Sequence, residues 1–191
     1  MATNTQYVNI NVLTPTFNNF NRISFTIIAL VGLIIKTFFY NDYSDDGSTG
    51  PANSNLWGYG IISFAILGLL FVKYSESSQI KNLSDMQSII SIFKLSVPAF
   101  LLLIILYWLI MLNINYFTKI NKGKISSEFK LYSFVSSFII FLQLFVVYKY
   151  FNANNEKSKN SFSLFSYLLT LLNIILIGIM TIILLFFSTD G

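Results

Sequence analysis

The chain has 191 residues, 54% of them hydrophobic and only 10% charged, with 12 Lys and Arg against 8 Asp and Glu for a formal net charge of +4. Soluble domains carry about 25% charged residues, so a chain this poor in charge cannot cover a water-facing surface, and its solvent is largely lipid. With neither cysteine nor histidine, disulfides, thiolate chemistry, imidazole haem ligation and the usual zinc sites are excluded.

Residues 1–21 read as a polar tail. It has no basic start and no apolar run before Arg22, so it is no secretory signal. Within it Val8, Ile10 and Val12 alternate with Asn9 and Asn11 at the two-residue period of a strand, which Pro15 would end. A lone strand has unpaired edges, so these three residues are candidate contacts with another chain; a floppy polar tail is the alternative. The first span is expected over 23–40. Lys36 lies within about a turn of its end and is expected to snorkel to the headgroups rather than to act as a functional intramembrane charge. The loop that follows contains Asp42, Asp45 and Asp46 but lacks the spacing of a calcium loop, so it reads as a solvated acidic turn.

A second span over 56–73 is entered through Leu56, Trp57, Gly58, Tyr59 and Gly60. Trp57 and Tyr59, with Tyr74 at the far end, are placed as interfacial aromatics. Over 75–94, Ile80, Leu83, Met86, Ile90 and Phe93 recur at helical spacing. Ser84 with Gln87 fits a capping box, which predicts a short amphipathic interfacial helix before the third span.

The third span, 95–117, is free of charge, with Pro98 near its first turn where a missing hydrogen bond costs least. Tyr107 and Trp108 fall mid-run and are expected to face protein rather than lipid. The most basic stretch comes next: Lys119, Lys122, Lys124 and Lys130 against Glu128 alone, a second set of candidate partner contacts. The fourth span, 131–148, contains Ser133, Ser136, Ser137 and Gln143; the fifth, 162–187, contains Asn173, Gly178 and Thr181 and is long enough to cross with tilt.

Catalysis needs an acid, base, nucleophile or metal held in place, and between the ends of the expected spans, the second of which closes on Lys73, the one formal charge is Lys36. The sequence therefore reads as a non-enzyme with no cofactor and no metal. Gln143, Asn173 and the serines read as interhelical hydrogen bonds, with a narrow polar path as the alternative. Gly58 and Gly60 are too close for a GxxxG pair, and Gly32 and Gly178 stand alone. The spans show no related halves of the kind transporters use.

The fold expected is an all-α membrane protein: one bundle of about five transmembrane helices over 22–191, with the short amphipathic helix and the amino-terminal strand attached. A bundle without working titratable groups is a passive anchor for some assembly. Its partners are then the bilayer and other protein subunits, with no specific nucleic acid, since no long basic arm or helix face is present, and a homo-oligomer fits as well. An accessory subunit of a cellular or organellar membrane complex is the alternative, and a small pore or transporter the third reading.

The polar non-signal start, the Leu56 to Gly60 string entering a span and the bias to Asn, Lys, Ile and Phe in a small multi-pass layout resemble a known group. They are similar to small membrane proteins of large double-stranded DNA viruses that carry a lipid membrane beneath an icosahedral capsid. The resemblance covers the layout and that short string, and it carries over no functional residue. It implies a virion inner-membrane component that tethers bilayer to capsid, with minor capsid proteins as partners.

Overall fold

The computed structural model describes residues 15–38, 53–76, 96–119 and 127–187, and its regular elements are helices α1 (Pro15–Phe38), α2 (Asn53–Glu76), α3 (Val97–Lys119), α4 (Ser127–Phe151) and α5 (Glu156–Phe187). Each contains a stretch long and apolar enough to cross a bilayer: Asn19–Phe38, Leu56–Tyr74, Val97–Ile114, Leu131–Phe151 and Glu156–Ile183. No strand occurs among the described residues. Val8, Ile10 and Val12, and the amphipathic helix expected up to residue 94, lie outside them.

Two helices begin six or more residues earlier than the hydropathy implies. Residues 15–21, read as tail, are the first turns of α1. Pro15 opens that helix, a position where an absent N–H leaves nothing unpaired and the fixed φ is already helical. Residues 156–161, which lie between the fourth and fifth expected spans, are the first turns of α5. There Asn155 Oδ1 accepts the Ser158 N–H at 2.7 Å, an N-cap, and Glu156 lies in the first turn, 3.5 Å from Lys159 Nζ. At the third helix Ser96 O accepts the N–H groups of Ala99 and Phe100 at 3.1 and 3.2 Å, so Pro98 sits in a first turn that needs no donor from it.

Helices α1 to α4 close a ring in which α1 packs on α2, α2 on α3, α3 on α4 and α4 on α1; α5 lies in the groove between α3 and α4. The core is filled by Tyr59, Ile62 and Ile66 of α2, Leu102, Ile105, Leu106 and Leu109 of α3, and Ile140 and Val147 of α4. Lipid tails are as apolar as these side chains, so close packing and hydrogen bonds, not water exclusion, hold the helices together.

The tightest packing joins α1 to α2. A Cβ added at Gly58 would lie 2.5 Å from Lys36 Cβ and 2.7 Å from Gly32 O, and one added at Gly32 would lie 2.9 Å from Gly58 O. Gly32 therefore does not stand alone. It and Gly58 form a glycine contact split between two helices, which a search for GxxxG within one helix cannot find. Further along the pair, the Phe25 ring covers Gly68 and meets Phe64 edge-on at 6.3 Å. At the other end of α1, Arg22 Nη1 donates to Phe151 O and to Asn152 Oδ1, both at 3.4 Å. That places a cation at the negative C-terminal end of α4.

Candidate functional site

Lys36 is the one charged residue buried among those described, with 0% exposure. Its Nζ donates to Ser133 O at 2.7 Å, to Ser136 Oγ at 3.1 Å, to Ser133 Oγ at 3.3 Å and to Ser137 Oγ. The Tyr59 ring closes the remaining side, with its centroid 5.2 Å from Nζ, an approach at which a ring face attracts an ammonium group. Ser133, Ser136 and Ser137 stand at i, i+3 and i+4, so helical geometry puts all three on one face of α4. Ser136 and Ser137 also donate their own hydroxyls to Ser133 O, at 3.2 and 2.8 Å. Among the described residues no carboxylate pairs with Lys36.

The snorkelling expected of Lys36 is thus corrected. On any helix the Cα–Cβ bonds tilt toward the N-terminus. A lysine at the C-terminal end of α1 therefore leaves its helix pointing back into the membrane, away from the nearer headgroups. Gly58, lacking a side chain, lets α2 lie directly on the Lys36 backbone, and the amine turns to α4.

Tyr59 is also corrected. Expected at the interface, it is fully buried in the core beneath Lys36. Two residues along a helix is a rotation of about 200°, so Trp57 and Tyr59 cannot both face outward. Trp57 does so and is 69% exposed, while Tyr74 is half-buried at the opposite end of α2. Tyr107 and Trp108, expected to face protein, face none of this chain's own helices. They are 54% and 55% exposed on the outer face of α3, because Leu102, Ile105, Leu106 and Leu109 claim the inner face.

A second polar group joins α4 to α5. Gln143 Nε2 donates to Thr170 Oγ1 and Asn173 Nδ2 donates to Gln143 Oε1, both at 3.2 Å. All three side chains are buried. Replacing Gln143 with leucine removes both bonds, and unfolding in detergent should show a loss of about 1–2 kcal/mol, the usual range for hydrogen bonds between membrane helices. An unchanged midpoint would mean that the packing alone joins α4 to α5.

Of the expected partner contacts, Val8, Ile10, Val12, Lys122 and Lys124 lie outside the described residues. Lys119 ends α3 and Lys130 falls in the first turn of α4, with their side chains outside what is described. The cluster that the fold assembles comes instead from residues read separately: Lys36, Gly32, Gly58, Tyr59 and three serines. A signal for it was present, since serines at i, i+3 and i+4 in an otherwise apolar span make a polar face that needs an occupant.

A serine hydroxyl beside an amine is the pairing that activates nucleophiles. Here the amine and all three serines are buried and hydrogen-bonded among themselves, which makes the cluster a clasp between α1 and α4. No three His, Cys, Asp or Glu side chains gather among the described residues. These features define the class: a multi-pass membrane protein, all-helical among the described residues, whose interior polar groups there largely bond to one another. Comparison with models of protein families, with curated proteins and with solved structures finds no match to this chain.

Proposed function

We propose that the chain is a structural membrane subunit, an anchor that holds a protein assembly to the bilayer. The observation that carries this reading is the state of Lys36. The buried charge that a pump or proton relay would keep in reach of a water path is engaged from every side by α4 and Tyr59. An interior tied up in this way favours rigidity over turnover. The resemblance to membrane proteins of large double-stranded DNA viruses supports the virion inner membrane as the location and minor capsid proteins as the assembly held. In that setting the tail residues Val8, Ile10 and Val12 and the lysines Lys119, Lys122, Lys124 and Lys130 are the gripping parts.

Two measurements test the proposal. Amine cross-linking in the native membrane, followed by mass spectrometry, should join capsid-type proteins to the lysines of 119–130. Finding a membrane enzyme there instead would make the chain an accessory subunit of that enzyme. The purified chain in liposomes should leave ion leak at the level of empty vesicles, and a protein-dependent flux would overturn the anchor reading.

A further inference from the structure

We propose that the outer face of α3 is a homodimer interface, in which two copies meet about a two-fold axis along the membrane normal with Tyr107 at its centre. The inner face of α3 is occupied by α2, α4 and α5. On the opposite side Ile104, Tyr107, Trp108, Met111 and Ile114 are exposed. Ile104, Tyr107, Met111 and Ile114 alternate spacings of three and four, the seam of a coiled pair of helices.

The membrane span of α3 is Val97–Ile114, so Tyr107 and Trp108 lie within roughly 4 Å of its middle. That is the wrong depth for either residue in lipid. Aromatic side chains with a polar tip collect at the two interfaces, and from mid-membrane a tyrosine hydroxyl cannot reach headgroups about 15 Å away. Within the chain the two rings touch each other edge-on at 5.9 Å. Among the described residues neither the Tyr107 hydroxyl nor the Trp108 N–H has a hydrogen-bond partner. The outward stripes of α1 (Ile23, Ile27, Val31, Ile34) and α2 (Phe64, Leu67, Phe71) carry no polar atom, and lipid satisfies them.

The occupant that fits is a second copy. A hydroxyl both donates and accepts. A two-fold axis along the membrane normal brings Tyr107 of each copy to the same depth, so each supplies what the other lacks. The indole N–H of Trp108, a donor alone, can then be given to the other copy's hydroxyl. Such an interface is isologous and closes at two subunits. It does not depend on what the anchor holds.

The chain has no cysteine, so single cysteines can be introduced in the full-length protein without background. In membranes, oxidation of Ile104→Cys or Met111→Cys should convert most of the chain to a disulfide dimer, several-fold more than the lipid-facing control Ile27→Cys. All three positions are exposed, so folding is not at stake. Tyr107→Phe keeps the ring and loses the hydroxyl; in detergent it should weaken dimerisation roughly three- to tenfold, the fold-change of one such bond. Equal cross-linking at seam and control, a ladder of higher oligomers, or capture of a different protein by Met111→Cys would each overturn the proposal.

Discussion

Replacing Ser133, Ser136 and Ser137 together with alanine is expected to destabilise the bundle by about 3 kcal/mol or more, as a charge left buried without its partners does. The triple change removes the three hydroxyl acceptors and leaves Lys36 with one backbone carbonyl, Ser133 O at 2.7 Å. The serines themselves lose little, because their side chains are small and the bonds that Ser136 and Ser137 make to Ser133 O stay within their own helix, so their loss strands no partner on another helix. The damage therefore lies with the stranded amine, and that makes the effect separable. Adding Lys36→Met to the triple variant removes the group that lacks partners while keeping an unbranched apolar stem, and most of the lost stability should return. Lys36→Met alone should change stability by about 1 kcal/mol or less, since a buried ionic group replaced by an apolar one of similar size is often neutral. Thermal unfolding in detergent measures all three. A triple-alanine variant as stable as the parent would show that the serines are bystanders.

Gly58→Ala is expected to destabilise the α1–α2 pair by about 2–3 kcal/mol, the range seen when extra volume is forced into a packed interior. The new methyl would lie 2.5 Å from Lys36 Cβ, 2.7 Å from Gly32 O and 2.8 Å from Lys36 N. Two of those three atoms are backbone, so no side-chain rotation relieves the clash and the helices must separate. Gly60→Ala is the matched control, two residues away on the same helix, with nothing within 4 Å of its added Cβ. It should leave stability unchanged or raise it by up to about 1 kcal/mol, the helix preference of alanine over glycine. Because the Gly58 contact and the serine clasp share Lys36, their effects should not add. Pushing α1 away with Gly58→Ala moves the amine off α4, so the serine substitutions should matter less in that background. Additive losses would mean that the two contacts are independent.

The five crossings were legible in the sequence because spanning a bilayer is a local requirement. About 20 consecutive apolar residues meet it, and the runs within α1 to α5 each do so without reference to the others. The helix starts at Pro15 and Glu156 were missed for a related reason: helices extend past the apolar run wherever a proline or an asparagine cap suits the end, and hydropathy does not register caps.

What the sequence by itself determined about this protein is the number of crossings, their order and the scarcity of charge within them. Only the tertiary structure decided which face of each helix turns inward, and hence what Lys36, Tyr59, Gly32 and Tyr107 are for. Lys36 and Ser133 lie 97 residues apart; Gly32 and Gly58 meet only because two antiparallel helices cross there. Apolar composition looks the same on every side of a membrane helix. The lysine at the end of the first crossing therefore read as a headgroup anchor, and became the clasp between α1 and α4 once a helix bearing three serines was packed against it.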